Sequence, residues 1–302
     1  MYQFITSYYK KFFLKNKIIY IIGTGRSGTT LLDILLGNSN DIFSCGELNR
    51  FPKRNGIPPK RETGDEVAAF WQNINFHLDL SDKDLMELNT LHKAYEYHVS
   101  TLKGLLFGVS DKLSQTYTVY IKRLYRFIFS SIKENTIIDS SKYPGRAIML
   151  SSTIKNEYDI CYVYIVRNPV GVVGSLTKKG LEQPPKNWIL ANAYYFCVNL
   201  ICQYTLKYLR RKGHQTLTVT YEQLTEEPLE TIEKVGKELN FETESVLQKI
   251  RKDDYLNTGF LFDGNRIRLQ KQIKLLRKPI NKKQLTFKEK MIQVMNSPIY
   301  KS

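Results

Sequence analysis

The stretch KIIYIIGTGRSGTTLLDILL, residues 17–36, decides the fold of this 302-residue chain. It begins with a β-branched and aromatic run, Lys17 to Ile22, that stops at a cluster of glycines. After the glycines, leucines recur at positions 31, 32, 35 and 36, which is helical spacing. The pattern predicts a buried strand, a glycine-rich loop and a helix in immediate succession.

The loop between this strand and helix, Gly23 to Thr30, is typical of a binding site for an anion. Its backbone N–H groups and the dipole of the following helix converge on one point, and glycines let a phosphate approach the backbone closely. Arg26 adds a charged donor, and the Thr29 and Thr30 hydroxyls offer further hydrogen bonds. We therefore predict a phosphate-like ligand here; a tight structural turn without a ligand is the alternative.

The sequence of the loop also bears on which anion it binds. Gly23 and Gly28 match the GxxxxG part of a nucleoside-triphosphate loop, but Thr29 stands where that motif requires Lys. A magnesium–triphosphate site also needs a downstream acidic ligand, and Asp139 at the end of a predicted strand is the candidate. An ATP-dependent P-loop kinase therefore remains an alternative, weakened by Thr29.

The rest of the chain alternates predicted strands and helices. Residues 136–139, 161–166 and 217–221 are short apolar or β-branched runs, and Trp188 to Leu209 shows helical spacing that ends before Lys212-Gly213. We predict an α/β fold with a P-loop-type central parallel β-sheet flanked by helices. Ligands of such folds bind beyond the carboxyl ends of the strands.

The predicted organisation is a single domain over residues 1–302. A Pro-, Gly- and charge-rich stretch opens a mostly helical insertion at about 52–133, and a basic C-terminal segment covers about 266–302.

The amino-acid composition of the chain indicates which kinds of partner it binds. Lys and Arg outnumber Asp and Glu by 45 to 29, giving a formal net charge of +16, so an anionic partner is expected. The apolar run Ile18–Ile22 is far too short for a membrane span. The four cysteines form no CxxC pair, so we predict no structural zinc and a cytoplasmic location. The segment Tyr8–Phe13 mixes aromatic residues with lysines, a pattern that favours peripheral contact with a membrane.

Two motifs carry a resemblance to a known family. The sequence GTGRSGTTLL, residues 23–32, resembles the 5′-phosphosulfate loop of sulfotransferases that use 3′-phosphoadenylyl sulfate (PAPS). The sequence CYVYIVRNPVGVVGS, residues 161–175, is similar to the second signature of that family, in which an Arg at a strand end and a Ser eight residues later bind the 3′-phosphate. The resemblance assigns those roles to Arg167 and Ser175, and we expect Ser175 early in the following helix.

Two later segments extend the resemblance. Residues 219–224, with Tyr221, are similar to a strand-turn segment of the family, and Gly264-Asn265-Arg266 resembles its glycine-asparagine loop near the cofactor. Arg266 and Phe260 stand where many relatives have Pro and His, which leaves open how this loop meets the nucleotide. The resemblance implies the cofactor-binding set Gly25, Arg26, Ser27, Gly28, Thr29, Thr30, Arg167, Ser175, Tyr221, Gly264, Asn265 and Arg266.

The candidate catalytic residues are Glu47, Arg26 and Lys142. Residues 44–49 resemble the CGE segment of tyrosylprotein and related sulfotransferases, which makes Glu47 the candidate general base. Residues 139–144 resemble the DSSK-P segment of bacterial and carbohydrate sulfotransferase-like proteins, which implies that Lys142 faces the sulfuryl group together with Arg26. The alternatives are a Glu47 that only pairs with a nearby arginine and a Lys142 that is a solvated turn residue. The rival bases are three histidines of the insertion: His77, His92 and His98.

The leading hypothesis is a sulfotransferase that moves the sulfuryl group of PAPS to an acceptor hydroxyl and releases adenosine 3′,5′-bisphosphate. Because a sulfonate carries one negative charge, fixed cations and backbone donors suffice and no metal is expected. The basic excess favours a saccharide or glycolipid acceptor with acidic character. Besides the kinase, a non-catalytic binder of anionic membrane or nucleic acid remains open, although the sequence contains no nucleic-acid-reading motif.

Overall fold

A central sheet of five parallel strands organises the computed structural model of the chain, which describes residues 15–61, 66–107, 114–179, 184–276 and 284–300. The strand order is β2-β3-β1-β4-β5. The strands are β1 Lys17–Gly23, β2 Ile42–Gly46, β3 Thr136–Lys142, β4 Asp159–Val166 and β5 Thr216–Thr220. This arrangement confirms the predicted parallel α/β sheet.

Helices surround the sheet. Those within the described residues are α1 Thr29–Leu36, α2 Glu66–Leu78, α3 Asp82–Glu96, α4 His98–Phe107, α5 Gln115–Ser130, α6 Pro144–Thr153, α7 Pro169–Leu176, α8 Trp188–Arg211, α9 Tyr221–Glu226, α10 Pro228–Leu239, α11 Glu244–Arg251 and α12 Phe287–Met295. Short 3-10 turns lie at Leu48–Arg50, Pro52–Arg54 and Arg266–Leu269, and a two-stranded antiparallel ribbon joins β6 Leu256–Asn257 to β7 Gln272–Ile273. Helices α2 to α5 lie in the segment that the sequence analysis assigns to a mostly helical insertion.

The register of the sheet brings all of the strand ends to one edge. Lys17 of β1 pairs with Thr136 of β3 and with Asp159 of β4, so these three strands start level. Because the strands are parallel, the loops that follow them emerge together at the carboxyl edge. The glycine-rich loop after β1 therefore lies beside the segments that begin at Glu47 and Arg167.

Both faces of the sheet are buried, as expected for a parallel sheet. Ile18, Tyr20 and Ile22 of β1 belong to the apolar cluster on one face, and the intervening Ile19 and Ile21 belong to the cluster on the other. Strand residues alternate between faces, so this single strand anchors both halves of the core.

A buried ion network ties the insertion to β3. Arg146 of α6 contacts Glu96 of α3 through Nη1 at 3.0 Å and Asp139 of β3 through Nε at 3.0 Å. The Tyr117 hydroxyl donates to Glu96 at 2.6 Å. Burial acts to raise the pKa of Glu96. The charges of Arg146 and His92, together with hydrogen bonds from His92 and Tyr117, outweigh that effect and lower the pKa to about 2. The network joins α3, α5 and α6 to β3, and removing one member of a buried pair costs about 3–5 kcal/mol.

The structure corrects two details of the sequence-based expectations, and a third expectation is untested. Tyr221 does not end a strand but begins α9, because Thr220 caps that helix in a capping box with Gln223. Strand β2, residues 42–46, was not predicted. The predicted membrane-contacting segment Tyr8–Phe13 lies outside the described residues.

Candidate active site

The glycine-rich loop forms a tight turn between β1 and α1. Its shape is fixed internally, since the Ser27 hydroxyl donates to the Thr24 carbonyl at 2.7 Å. Gly28 caps α1 in the left-handed region at φ 100°, and Arg26 is also left-handed at φ 72°. A Cβ atom placed on Gly25 would meet no atom within 4 Å, so the backbone there faces open space. This combination of N–H groups, a helix N-terminus and free volume fits a phosphosulfate.

Tyr221 and Arg167 form a stacked layer against the loop. A Cβ atom on Gly28 would lie 2.5 Å from Cδ2 of Tyr221, so the ring packs directly on the glycine. The guanidinium carbon of Arg167 lies 4.1 Å from the centroid of the Tyr221 ring. Arg167 also donates through Nη1 to the carbonyl of Arg26 at 3.1 Å. Three predicted cofactor-binding segments are thereby in direct contact.

Ser175 lies later in its helix than predicted. Asn168 caps α7 by accepting the Val170 N–H at 3.0 Å, so the helix starts at Pro169 and Ser175 is its penultimate residue. A Cβ atom on Gly171 would lie 3.1 Å from Nε of Arg167. Because residues i and i+4 share a helix face, Ser175 lies on the face that Arg167 approaches, one turn further along.

The Gly264-Asn265-Arg266 loop packs onto the glycine-rich loop. The Asn265 N–H donates to Oγ1 of Thr30 at 3.1 Å, and a Cβ atom on Gly264 would lie 3.2 Å from the same oxygen. Arg266 is exposed at the start of a 3-10 turn. Phe260, at the position where many relatives have His, stacks on Phe43 with ring centroids 5.3 Å apart. The loop is thus held by packing and backbone contacts.

Glu47 and Lys142 meet at the carboxyl edge. Lys142 Nζ lies 2.6 Å from Oε1 of Glu47, which is only 3% exposed, and Arg50 Nε lies 3.6 Å from Oε2. Glu47 therefore does pair with Arg50, but it also pairs with Lys142, another candidate catalytic residue. Arg54 instead contacts Asp263 at 2.6 Å.

A bulge in β3 sets the direction of Lys142. The β1–β3 register shifts between Tyr20 and Ile22, opposite Asp139 and Lys142, and Lys142 has a left-handed φ of 65°. Asp139 accepts the Ser141 N–H at 2.9 Å. The Ser141 hydroxyl in turn accepts the Asn49 N–H at 2.9 Å, which ties the Glu47 loop to β3. Bulges commonly redirect a side chain beside an active site.

Beside Lys142 lies a group of rings that sequence reasoning did not connect to the site. We call Tyr97, His98, Tyr143 and Tyr194 the ring cluster. Tyr143 stacks on Tyr97 with centroids 5.7 Å apart and on His98 at 5.3 Å, and His98 lies 6.3 Å from Tyr194. Burial raises the pKa of Tyr194 to about 12, and the nearby Gly25 backbone acts to lower it. The ring cluster therefore connects the insertion to the glycine-rich loop.

The rival histidines differ in position. Burial lowers the pKa of His98, which favours its neutral form. His92 packs edge-on against Tyr143 with centroids 5.6 Å apart, whereas His77 stacks on Phe127 at 5.5 Å in the insertion. In the sequence, the aromatic residues at 95–98 are the feature that could have pointed to His92 and His98. Their contact with Tyr143 joins distant parts of the chain, so no local pattern reveals it.

Asp139, the ligand that a magnesium–triphosphate site would require, is engaged elsewhere. Its carboxylate is fully buried and accepts the Tyr125 hydroxyl at 2.5 Å and Nε of Arg146 at 3.0 Å. This engagement disfavours the kinase alternative. Within the described residues, no group of three or more His, Cys, Asp or Glu side chains is arranged to hold a metal ion. None of the helices in that part of the chain combines the length and apolarity needed to cross a membrane.

Comparison with known proteins identifies the family of the chain. Residues 19–245 match the model of the Sulfotransferase family. The sulfotransferase domain from the curacin biosynthetic pathway shares the fold, with a TM-score of 0.50 and 18% identity over 94% of this chain and 98% of that one. The sulfotransferase STF9 from Mycobacterium avium has a TM-score of 0.48 and 13% identity over 98% of this chain and 79% of its own. The sulfotransferase domain from the Synechococcus PCC 7002 olefin synthase has a TM-score of 0.46 and 17% identity over 96% of each chain. No curated protein matches the sequence. Since the family model spans most of the sheet and the loops at its carboxyl edge, the chain belongs to the sulfotransferase family.

Proposed function

We propose that this sulfotransferase transfers the sulfuryl group of PAPS to a hydroxyl of a saccharide or glycolipid, with Glu47 as the general base. The observation that carries the proposal is the 2.6 Å contact between Glu47 and Lys142 at the edge where the glycine-rich loop opens. A carboxylate and an ammonium from two neighbouring strand ends meet there, and the hydrogen bond from the Asn49 N–H to the Ser141 hydroxyl joins their two segments. The pair is suited to remove a proton and to stabilise negative charge in one place.

The donor site would be built from three contacting segments. The N–H groups of residues 25–30 and the Arg26 side chain would hold the 5′-phosphosulfate. Arg167 and Ser175, on the same side of α7, would hold the 3′-phosphate. PAPS, when bound, supplies the activated sulfuryl group. Thr30 and Asn265 would then close the wall beside the loop.

Glu47 would take the proton of the acceptor hydroxyl as the oxygen bonds to sulfur and the bond from sulfur to the phosphate oxygen breaks. Its two oxygens are held by Lys142 and Arg50, and a carboxylate fixed in this way meets the need of a general base for a defined position. Lys142 and Arg26 would stabilise the charge on the leaving oxygen.

The ring cluster supports a saccharide acceptor. Tyr97 is 41% exposed and stacks nearly parallel to Tyr143, with 11° between the two ring planes. Flat aromatic faces next to a base offer apolar contact for a sugar ring while their polar edges bind water or hydroxyls. The net charge of +16 favours an acceptor that carries a phosphate or carboxylate.

All four cysteines are free thiols, which supports the proposed cytoplasmic location.

Calorimetric titration in EDTA tests the donor assignment. Adenosine 3′,5′-bisphosphate should bind with micromolar-class affinity, whereas ATP and 5′-AMP should bind far more weakly. Binding of ATP only after Mg²⁺ is restored would instead support a kinase.

A panel of neutral, carboxylated and phosphorylated saccharides, assayed with radiolabelled PAPS, then tests the acceptor. Transfer to simple phenols but to no saccharide would contradict that part of the proposal.

A further inference from the structure

Helix α12 exposes an apolar stripe on the side that faces away from the protein. Its members are 81%, 39%, 73% and 52% exposed, in the order Phe287, Met291, Val294 and Met295. The spacing i, i+4, i+7, i+8 places them on one face of the helix, which we call the outer stripe. The opposite face attaches the helix, since Ile292 is 3% exposed and the Asn296 amide donates to Asn192 of α8 at 2.6 Å. Met295 also contacts the body, since its sulfur accepts the Asn192 amide at 3.6 Å, so the outer stripe rests mainly on Phe287 and Val294.

Lysines border the outer stripe, and the neighbouring helix widens it. Lys288 and Lys290 are exposed and lie on either side of the stripe at 100° per residue. Lys288 lies 5.2 Å from the centroid of Trp188, in the first turn of α8. That turn also exposes Ile189 by 56% and Leu190 by 66%. The result is an apolar surface with a basic rim.

We propose that this surface, the outer stripe with Ile189 and Leu190, docks the enzyme on an anionic lipid bilayer. Exposed apolar side chains flanked by lysines are the composition of helices that lie in a membrane interface, where the lysines meet anionic headgroups. The net charge of +16 is complementary to such a surface. A second copy of the chain is the poorer occupant, because it would bring the same charge and the same lysine rim against the first.

The surface borders the proposed acceptor site. Tyr194, which packs against His98 in the ring cluster, lies one turn beyond Leu190, roughly 6 Å along α8. A docked bilayer would therefore lie near the mouth of the site, where the acceptor group of a glycolipid could enter. This last step rests on the proposed function; the docking itself does not.

The test is co-sedimentation of the full chain with vesicles of phosphatidylcholine, with and without 30 mol% phosphatidylglycerol as the anionic lipid. The double variant Phe287→Ser/Val294→Asp should lose at least about tenfold in affinity for the anionic vesicles. A matched control on the insertion, Phe76→Ser/Met86→Asp, removes side chains that are 78% and 73% exposed and should bind like the wild type. Lys288→Gln and Lys290→Gln should each weaken binding roughly fivefold, and 0.5 M salt should reduce it further.

Bisphosphate calorimetry on the same variants separates this inference from the proposed function. Unchanged nucleotide binding together with lost vesicle binding supports docking through this surface. Equal vesicle binding by the stripe variant and its control would overturn the proposal, as would a failure of the wild type to bind anionic vesicles. A concentration-dependent dimer in analytical ultracentrifugation that the stripe variant abolishes would assign the surface to self-association instead.

Discussion

Gly28→Ala tests the stacked layer that we assign to nucleotide binding. The new Cβ atom would lie 2.5 Å from Cδ2 and 3.2 Å from Cε2 of Tyr221, closer than side-chain atoms pack. Gly28 also has φ 100°, where residues other than glycine are strained. The ring must therefore move by about 1 Å, and it carries with it the face on which the Arg167 guanidinium lies.

The two costs can be estimated separately. A left-handed alanine costs about 1–2 kcal/mol, and overpacking against the ring costs about 1–3 kcal/mol. The free energy of unfolding should fall by their sum, about 2–5 kcal/mol. Loss of the contact between Arg167 and Tyr221 removes about 0.5–2 kcal/mol of the interaction that positions the guanidinium. The Kd for adenosine 3′,5′-bisphosphate should rise about two- to thirtyfold in consequence.

Urea unfolding and calorimetry measure both quantities, and a double-mutant cycle with Tyr221→Ala separates the causes. In the Tyr221→Ala background the cost of Gly28→Ala should shrink to the backbone part, about 1–2 kcal/mol, because the clash is gone. Gly25→Ala is the control for stability in the same loop, since its Cβ atom would have nothing within 4 Å. A Gly28→Ala protein that unfolds like the wild type and binds the bisphosphate equally well would refute the packing of Tyr221 on this glycine.

Three further perturbations address the base, the 3′-phosphate site and a buried carboxyl. Glu47→Gln should lower kcat by about 10²–10⁴ while leaving bisphosphate affinity nearly unchanged. The control is Glu157→Gln, which should retain turnover in the same PAPS assay; Glu157 also pairs with a lysine, Lys122 at 2.8 Å, but at the far end of the sheet. Arg167→Ala should raise the bisphosphate Kd by about 10- to 150-fold in calorimetry, since hydrogen bonds to charged groups contribute about 1.5–3 kcal/mol; an unchanged Kd would move the 3′-phosphate elsewhere. Burial raises the pKa of Asp33 from 3.8 to about 7, so between these values the folded state keeps a proton that the unfolded state has lost. This carboxyl should therefore lower the free energy of unfolding as pH rises from about 4 to 7, by a total on the order of 4 kcal/mol. Asp33→Asn should flatten that part of the curve in urea unfolding at a series of pH values. An identical slope in both proteins would mean that Asp33 ionises normally.

The sheet was predictable because its signals are local. Parallel strands buried on both faces are continuous apolar runs, and β1 and β4 have that pattern together with a following loop. Strand β2, Ile42–Gly46, was missed because its five residues end in a glycine and were overshadowed by the motif around Glu47. Short runs of this kind do not separate a strand from a loop without knowledge of the neighbouring strand.

The site was predictable only as far as its motifs extend along the chain. Glu47 and Lys142 came from separate motifs, yet their contact depends on a bulge and on the Ser141–Asn49 hydrogen bond, neither of which has a sequence signature. The ring cluster was out of reach for the same reason. Its members come from the junction of α3 and α4, from α8 and from the turn after β3, and only tertiary packing brings Tyr97 and Tyr194 together around Tyr143.

The left-handed backbone of Arg26 and Lys142 shows how the fold concentrates its cations. A residue other than glycine in this region costs about 1–2 kcal/mol, and such strain persists where the surroundings enforce it. The two residues follow β1 and β3, which are neighbours in the sheet, and each sits where the chain must turn from a strand into a helix. A glycine at either place would remove the strain but also the charge. Both left-handed positions therefore carry a cation at the edge where sulfuryl transfer is proposed to occur. Cations placed there would stabilise the developing charge with little reorganisation during the reaction.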